Sequence, residues 1–379
     1  MDKEHKRILA AYKKQGARIE TSARSKLAGM KDFSLWYTPG VGAAATHLAA
    51  HPRDARLMSV KKNSVAVVSD GSAVLGLGNI GPYGALPVME GKALIFKELA
   101  GIDAWPLVLD TQDTEEIIRI VKAVAPNFGG INLEDIAAPR CFEIERRLIE
   151  ELDIPVMHDD QHGTAIVVLA GLMNAAKVVE KDVKKLAVVI VGAGAAGTAT
   201  ANLLSAYGIR DIVVTDRTGV IYEGRKGLTP KKAELAKRTN PRGIRGTLAD
   251  ALMGSDAVIG LSGGGKLRAA DVRSMAKRAL VFALANPVPE IMPEEAAAAG
   301  AAVIATGRSD FPNQLNNALV YPGIFRGVLD LGARSIDEKM KLRAAAALAG
   351  LVPRPTARKI LPNLLDKRVV RAISRSVGK

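Results

Sequence analysis

Short apolar runs alternate with longer segments that carry one apolar face, and this pattern predicts strands and helices in turn. Runs of aliphatic and β-branched residues are typical of buried strands, whereas apolar residues at helical spacing are typical of amphipathic helices. The pattern predicts strands at residues 64–69, 131–133, 154–157, 186–191, 212–215, 257–261, 280–284 and 303–305. It predicts helices within the first thirty residues and at 114–124, 164–179, 198–207, 294–302 and 343–348. This alternation predicts an α/β protein with parallel sheets covered on both faces.

The chain is long enough for two domains, since 379 residues can form two separate cores. The apolar-rich helix at 164–179 is expected to cross between them. We therefore predict one domain at residues 1–160 and a second at residues 161–379.

Acidic residues follow two of the predicted strands. Glu134 and Asp135 come after the strand at 131–133, and Asp159 and Asp160 come after the strand at 154–157. Because ligands of α/β sheets bind at the carboxyl ends of the strands, these four carboxylates are expected to meet at one point. Clusters of oxygen ligands suit a hard divalent cation such as Mg²⁺ or Mn²⁺.

A glycine motif, Gly-Ala-Gly-Ala-Ala-Gly at 192–197, follows a predicted strand and opens a predicted helix. Such glycines allow a tight turn and let backbone N–H groups approach a pyrophosphate. Asp216, at the end of the next strand, would bind ribose hydroxyls and favour NAD, whereas Arg217 could instead accept the 2′-phosphate of NADP. A second glycine-rich loop at 262–265 either approaches the coenzyme or is an ordinary turn. The predicted cofactor-binding residues are Gly192, Gly194, Ala195, Ala196, Gly197, Asp216 and Arg217.

Two further side chains could transfer protons. Lys92 lies among apolar residues, where burial or a nearby cation would lower its pKa towards that of a base. A solvated lysine is the alternative. Tyr37 precedes a Pro-Gly turn that would fix its hydroxyl, although a core tyrosine would show the same pattern. Together with the acidic residues and the glycine motif, these residues predict a metal-assisted nicotinamide oxidoreductase.

Composition and charge limit the expected location and partners of the protein. Cys141 is the only cysteine, so no intrachain disulfide can form and a cytoplasmic location is expected. No apolar run reaches the roughly 18 residues of a membrane span, and the N-terminus lacks the apolar region of a signal peptide. The net charge of +14 is concentrated at residues 1–31 and 334–379. We interpret these basic ends as solvated helix faces and predict no nucleic-acid partner, because no nucleic-acid-binding module accompanies them.

Longer blocks of the sequence resemble malic enzyme, the oxaloacetate-decarboxylating malate dehydrogenase, in its short prokaryotic form. The matching blocks are YTPGVG at 37–42, SDGSAVLGLGNIGPYGALPVMEGKALIFK at 69–97, NLEDI at 132–136, HDDQHGTA at 158–165, VGAGAAG at 191–197, DRTGVIYEGR at 216–225, ANPVPEI at 285–291 and TGRSDFPNQLNNALVYPGIFRG at 306–327. The resemblance runs from about residue 15 to the C-terminal helices. It implies an N-terminal α/β malic domain and a C-terminal NAD(P)-binding domain with a Rossmann-type doubly wound parallel sheet.

The resemblance also implies an activity: oxidative decarboxylation of (S)-malate to pyruvate and CO₂, with reduction of NAD or NADP and a requirement for Mg²⁺ or Mn²⁺. Lys92 would accept the proton of the malate hydroxyl, Tyr37 would protonate the enol, and Asp159 would act as base or as partner of Lys92. The implied metal ligands are Glu134, Asp135 and Asp160. The implied substrate-binding residues are Asn286 and Asn316, with Asn317 close enough to share that role.

Some features depart from the family pattern or stay open. Larger family members carry an arginine that clamps a malate carboxylate at the position of Ala73, so the clamping cation of this chain is undetermined. His158 and His162 match no ligand and are expected to be structural. The resemblance suggests a homodimer or larger assembly, in which Tyr37 could reach the site of the partner subunit. Rival activities are dehydrogenation without decarboxylation and a malolactic reaction, and a catalytically silent homologue is a further alternative.

Overall fold

The computed structural model describes residues 3–74 and 76–378. Its strands are β1 (Ser64–Ser69), β2 (Asp103–Val108), β3 (Gly130–Leu133), β4 (Val156–His158), β5 (Ala187–Val191), β6 (Asp211–Asp216), β7 (Gly219–Val220), β8 (Ala257–Gly260), β9 (Leu280–Ala283) and β10 (Val303–Thr306). Its α-helices are α1 (Lys3–Gln15), α2 (Met30–Trp36), α3 (Val41–Ala50), α4 (Ala55–Met58), α5 (Gly81–Ala100), α6 (Thr114–Val124), α7 (Arg140–Glu151), α8 (Asp159–Val178), α9 (Ala195–Tyr207), α10 (Pro230–Ala236), α11 (Leu248–Leu252), α12 (Ala269–Arg273), α13 (Pro293–Ala298), α14 (Tyr321–Leu331), α15 (Glu338–Gly350) and α16 (Arg368–Val377).

The first sheet is parallel and has the strand order β2-β1-β3-β4 within the described residues. β1 consists of Ser, Val and Ala and is buried along its whole length, as expected of a strand covered on both faces. The last residue of β3 pairs with the last residue of β4, so both strands end at the same edge of the sheet. Whatever follows β3 and β4 therefore lies close together.

The second sheet has the order β10-β9-β8-β5-β6-β7 in the part of the chain that the structure describes. Its strands pair in parallel, apart from the two-residue β7, which pairs antiparallel with β6. From β5 the chain proceeds first to β6 on one side and later to β8 on the other. This reversal leaves a crevice at the carboxyl end of β5, where doubly wound sheets bind their ligands. The predicted α/β class with a doubly wound parallel sheet is correct.

The two sheets share apolar contacts through helices. The aromatic ring of Tyr321, in α14, lies 4.7 Å from that of Phe96 in α5, and the ring of Phe325 lies 5.5 Å from Phe96. One buried apolar cluster includes side chains of β1, α5, α8, β5 and α14. This packing holds α5 against the C-terminal part of the chain.

Several predicted boundaries were wrong. No helix covers residues 17–29, although helices were expected throughout the first thirty residues. The second acid-bearing strand begins at Val156 rather than at residue 154, and α8 begins at Asp159 rather than at residue 164. Acidic residues in the first turn favour this earlier start, because they interact well with the helix dipole. Among the helices of the described residues, none combines the length and apolar character of a membrane span.

Candidate active site

The carboxyl ends of β3 and β4 bring acidic residues to the same edge of the first sheet. Glu134 and Asp135 follow β3 directly, and Asp159 and Asp160 form the first turn of α8. Glu134, Asp135 and Asp160 each place a carboxylate oxygen within 4.8 Å of the others. The structure thus brings these three candidate metal ligands together.

Lys92 reaches the same place from α5. Its ammonium pairs with Glu134, lies 2.6 Å from Asp159 Oδ2, and lies 4.5 Å from the centre of the Tyr321 ring. Burial alone would lower the pKa of Lys92, but the carboxylates of Asp159 and Glu134 outweigh it and raise that pKa well above its usual value. Burial also raises the pKa values of both acids. With one lysine among four acids, the cluster favours a further positive charge.

Unpaired oxygen atoms at this cluster indicate a ligand. Asp159 Oδ1 and Asn132 Oδ1 are buried and have no hydrogen-bond partner among the described residues. A buried polar atom without a partner costs about 1–3 kcal/mol, which a bound group would relieve. Because the donors are all oxygen atoms, the cluster fits Mg²⁺ or Mn²⁺. Glu134, Asp135 and Asp160 could hold such an ion.

Backbone geometry fixes the acidic residues. Asp135 adopts a φ of 53°, in the left-handed region that aspartate tolerates better than most residues. Its N–H donates to Asp160 Oδ2 at 2.8 Å, which ties the ends of the two strands together. A Cβ atom on Gly163 would collide with Asp159 Oδ1, so a glycine is needed one turn into α8.

Glu145, in α7, anchors the start of α8. Its buried carboxylate accepts a hydrogen bond from the backbone N–H of His158 at 2.7 Å and one from Gln161 Nε2 at 3.0 Å. His162 Nε2 lies 3.1 Å from the same carboxylate. Burial would raise the pKa of Glu145, but His162 outweighs it and the pKa falls to about 2. Glu145 was not predicted, because no local pattern distinguishes it from the other acids of its helix.

Tyr37 lies outside the acidic cluster. Its side chain is exposed, with 61 % of its surface accessible, and its ring packs edge-on against Phe33 at 5.5 Å. It borders a groove together with Trp36, Leu94 and Lys97. Within the described part of one chain, its hydroxyl forms no hydrogen bond with the cluster.

The three asparagines occupy two loops. The backbone carbonyl of Asn286, after β9, lies so close to Gly76 that a Cβ there would collide with it. Asn316 Oδ1 accepts a hydrogen bond at 2.8 Å from the N–H two residues later and caps a short 3₁₀ turn. Asn317 lies beside the start of α8, since a Cβ on Gly163 would meet its Cβ at 3.0 Å. Asn286 thus contacts the N-terminal part of the chain, and Asn317 approaches Asp159.

Ala73 places no charge near the acidic residues. Its N–H donates to the carbonyl oxygen of Asp135 at 2.9 Å. A cation nevertheless reaches this turn, because Arg140 Nη2 donates to the buried carboxylate of Asp70 at 2.8 Å.

The glycine motif forms the predicted turn between β5 and α9. Gly192 has a φ of 114°, and a Cβ there would meet the carbonyl oxygen of Leu261 at 2.6 Å. A Cβ on Gly197 would collide with the carbonyl oxygen of Gly192. Gly194 precedes α9, which therefore includes Ala195 and Ala196 and begins three residues before the predicted start. The first N–H groups of α9 are in position for an anionic ligand.

Asp216 ends β6, beside the glycine turn, and is already engaged. Its Oδ2 accepts hydrogen bonds from Arg225 at 2.6 Å and Lys232 at 2.7 Å. Burial alone would raise the pKa of Asp216, but these two partners hold it well below its usual range. Arg217 is exposed to solvent.

The second glycine-rich loop is held by Glu290, another residue that was not predicted. This fully buried carboxylate accepts from the N–H of Ser262 at 3.2 Å and from the N–H of Ala285 at 3.0 Å. It therefore links the loop after β8 to the loop after β9 that carries Asn286.

Two family models together cover most of the chain. The model "Malic enzyme, N-terminal domain" matches residues 16–116 and 111–149, and the model "Malic enzyme, NAD binding domain" matches residues 161–379. The chain belongs to the malic enzyme family. Lys92, Glu134 and Asp135 fall within the first model and the glycine motif within the second, whereas Asp159 and Asp160 lie between the two matched ranges.

Similar malic enzymes match over nearly the whole chain. The NAD-dependent malic enzyme of Geobacillus stearothermophilus is 54 % identical over 364 residues, which are 96 % of this chain and 76 % of that protein. The bifunctional malic/malolactic enzyme of Bacillus subtilis (strain 168) is 51 % identical over 374 residues, 98 % of this chain and 91 % of that protein. The crystal structure of an NAD-dependent malic enzyme from Thermotoga maritima superimposes with a TM-score of 0.94 at 46 % identity, covering 97 % of this chain and 98 % of that chain.

Relatives named NADP-dependent malic enzyme also match this chain. The comparisons confirm the predicted family, fold class and enzyme class, and they include users of both coenzymes.

Proposed function

We propose that this chain oxidises and decarboxylates (S)-malate to pyruvate and CO₂, with reduction of NAD or NADP. The observation that carries the proposal is the buried cluster of one lysine and four carboxylates at the ends of two parallel strands. The same chain also has a glycine turn in the form that dinucleotide-binding sheets use. Membership of the malic enzyme family supports this combination of sites.

Glu134, Asp135 and Asp160 are proposed to hold Mg²⁺ or Mn²⁺. When bound, the divalent cation supplies Lewis-acid chemistry at the substrate oxygen, and the nicotinamide supplies the hydride acceptor. The protein contributes the geometry, because α8, β3 and the buried Glu145 hold the acids in fixed positions.

Lys92 is proposed to take the proton from the malate hydroxyl, with Asp159 as its partner. The ammonium is buried beside Asp159 at 2.6 Å, which orients it. Its raised pKa results from the uncompensated carboxylates around it, chiefly those of Asp159 and Glu134. Neutralising those carboxylates would lower the pKa of Lys92 towards that of a base, as a nearby cation does in general. Asn286, Asn316 and Asn317 are proposed to position malate.

Tyr37 is proposed to protonate the enol product in the active site of a second copy of the chain, which makes the enzyme a homodimer or a larger homo-oligomer. Around Tyr37 the chain exposes large apolar side chains, and an exposed apolar patch is typical of a protein interface. These side chains are Leu27, Trp36, Val60, Leu94 and Trp105, which line the same groove as Tyr37.

Mixing two inactive variants tests the position of Tyr37. Dimers that combine Tyr37→Phe with Lys92→Ala would contain one intact site if Tyr37 acts on the partner subunit. A refolded equimolar mixture should then recover about a quarter of wild-type pyruvate formation, because about half of the dimers are mixed. No recovery in verified mixed dimers would place Tyr37 in its own subunit's site or outside catalysis.

We propose two domains, one for substrate and metal at residues 1–160 and one for the coenzyme at residues 161–379. The presence of two separate sheets supports this division. We also propose a cytoplasmic location. The single cysteine supports it, since Cys141 is buried and the chain cannot form an intrachain disulfide.

The activity assay supplies malate with NAD or NADP, each with and without Mn²⁺, and measures CO₂, reduced coenzyme and the organic product. The proposal expects pyruvate, CO₂ and reduced coenzyme in equal amounts, and only with Mn²⁺. Oxaloacetate without CO₂ would indicate a simple dehydrogenase. Lactate without net reduced coenzyme would indicate a malolactic reaction. This reaction is a second candidate function, because the chain is similar to the bifunctional malic/malolactic enzyme of Bacillus subtilis.

A further inference from the structure

A second cavity lies between five helices, α7, α8, α9, α10 and α15. Its volume is about 390 Å³, within the roughly 300–1,000 Å³ of small-molecule sites. From α8 its lining includes Gln161 and His162, but none of the four acids of the cluster within the described residues. From α9 it includes Thr198 and Asn202, on the side of the helix, and not the glycine turn. The cavity is therefore separate from the metal and coenzyme residues described above.

Lys341, in α15, brings an ammonium group to this cavity. Its Nζ lies 3.0 Å from His162 Nδ1, and because an ammonium only donates, this ring nitrogen accepts. His162 Nε2 then carries the ring proton and donates to Glu145 at 3.1 Å. A neutral ring thus separates the ammonium of Lys341 from the carboxylate of Glu145.

The charge of Lys341 is incompletely compensated. Within the part of the chain that the structure describes, no carboxylate forms an ion pair with it, and two of its three donors have no acceptor. Burial lowers the pKa of Lys341, and the more distant charge of Glu145 offsets only part of this effect. Buried charges are normally paired, because an unpaired one loses the stabilisation that water provides. An anionic ligand would supply the missing counter-charge.

Two further cations line the cavity from α10, where Lys231 and Arg238 share one carboxylate. Lys231 Nζ lies 3.3 Å and Arg238 Nη2 lies 3.0 Å from the oxygens of Glu234. One carboxylate neutralises only one of these two cations. Together with Lys341 they give the cavity an excess of positive charge, which attracts anions.

We propose that this cavity is a second binding site, for a small dianion that carries carboxylate or phosphate groups. Lys341 provides the partly buried cation, and Lys231 and Arg238 add positive charge from α10. Carboxylates and phosphates form the strongest hydrogen bonds with such cations. Because Glu145 holds the backbone N–H of His158, occupation of the cavity also stabilises the start of α8. The site goes beyond the proposed function, since the residues proposed to bind malate, metal and coenzyme are not part of it.

Calorimetric titration of the metal-free protein with succinate and, separately, with inorganic phosphate tests the site. Without metal the acids of the cluster repel anions, and saturating NADH keeps the probes away from the glycine turn. The wild type should bind at least one probe with a dissociation constant of about 1 mM or below, the range that a few charge-assisted hydrogen bonds provide. Succinate alone would identify a carboxylate ligand, and phosphate alone a phosphate ligand.

Variants of the lining cations locate the bound anion. Lys341→Gln should weaken binding at least about tenfold, because it removes a charge-assisted hydrogen bond. Arg238→Gln, which changes a more exposed side chain, should weaken it by about threefold. The matched control is Lys339→Gln, an exposed lysine on the same helix that does not line the cavity. It should change the affinity by less than about twofold.

Three results would overturn the site: no binding of either probe by the wild type, unchanged binding by Lys341→Gln, or binding that disappears when NADH is added. The last result would assign the anion to the coenzyme site. Because no measurement uses malate or metal, these outcomes are independent of whether the chain decarboxylates malate.

Hydrogen exchange of residues 158–163 tests the link to α8. With the anion at about ten times its dissociation constant, exchange in the wild type should slow by up to about tenfold, because opening of this segment releases the ligand. Lys341→Gln should show no such change at the same concentration. Unchanged exchange in wild-type protein that binds the anion would overturn this link.

Discussion

Two charged clusters lie at the ends of strands in this molecule, and they differ in how far their acids are satisfied. At the ends of β3 and β4, four carboxylates share one lysine, and Asp159 Oδ1 remains unpaired. At the end of β6, the single carboxylate of Asp216 has four hydrogen-bond donors. The position of an acid at the end of a strand therefore does not show whether it binds a ligand or holds its neighbours.

The difference separates ligand-binding acids from structural ones. A group that must bind a cation has to retain unpaired oxygens in the protein alone, and it keeps them at a cost in stability. A group whose lone pairs are all used instead positions its neighbours. On this basis the acidic cluster, in which Asp159 Oδ1 is unpaired, is the candidate ligand site, whereas the carboxylate of Asp216 positions its neighbours. The predictions below test whether this distinction holds.

The largest effect is expected from Lys92→Ala. Removing a positioned base lowers turnover by about 10²–10⁴-fold, and this variant should fall in that range while still binding Mn²⁺. Steady-state rates of malate oxidation measure the first quantity, and calorimetric titration measures the second. The control is Lys122→Ala, on α6, where an exposed ammonium pairs with Glu151 on the surface and its loss should leave turnover unchanged. Full activity of Lys92→Ala would remove this residue from the mechanism.

Asp160→Asn should weaken Mn²⁺ binding and lower turnover by about 10³-fold, equivalent to the several kcal/mol that a Lewis acid supplies. The same change should raise the melting temperature of the metal-free protein, because it removes one charge from a repulsive cluster. Asp216→Asn should lower it, because that change weakens two ion pairs. Calorimetric titration measures Mn²⁺ binding, and thermal unfolding measures the melting temperatures of the two variants and the wild type.

The control for these variants is Asp113→Asn, which replaces the capping residue of α6 with another good cap and should alter neither quantity. If Asp160→Asn bound Mn²⁺ as tightly as the wild type, the acids at β3 and β4 could not be distinguished from Asp216 as ligands of a cation.

The sequence predicted the second sheet better than the first. Strands β5, β8 and β9 are short apolar runs buried on both faces, which is a strong local signal. By contrast, α5 carries Pro82 near its start and Pro87 inside it, residues that normally interrupt helices, so its helical course was not predicted. β2 contains Pro106 and lies at the edge of its sheet, where proline is tolerated. Packing against the rest of the molecule outweighs these local preferences.

The candidate site shows the same limit. The cluster at β3 and β4 could be predicted from adjacent acids that follow apolar runs. A strand and the residues directly after it are neighbours in the sequence, so the local pattern shows both. Lys232 meets Asp216 across 16 residues, and Tyr321 meets Lys92 across more than two hundred. Contacts of this kind depend on how the chain folds, and the local pattern of apolar and polar residues does not predict them. For Asp216, the local pattern predicts a ribose-binding residue but does not reveal that Arg225 and Lys232 hold its carboxylate.

The smallest predicted effect concerns Glu145, the anchor of α8. Its pKa is about 2 in the folded protein against an ordinary value of 4.5, chiefly because His162 outweighs the opposing effect of burial. A lowered pKa stabilises the fold above about pH 4.5, and this contribution is lost as the pH falls towards 2. Glu145→Gln should therefore reduce the free energy of unfolding by about 3 kcal/mol at pH 7, and the difference from wild type should shrink below pH 4.5.

Urea unfolding of the wild type and the variant at pH 7, 4 and 3 measures that difference. Comparing the two proteins at each pH cancels the protonation of the acidic cluster, which both contain. Glu143→Gln on the same helix is the control: its carboxylate pairs with Arg146 on the surface, so the substitution should barely change the free energy of unfolding at any pH. A deficit in Glu145→Gln that stayed constant from pH 7 to 3 would mean that Glu145 holds α8 by packing alone, and its charge would then have no part in fixing the acids of the site.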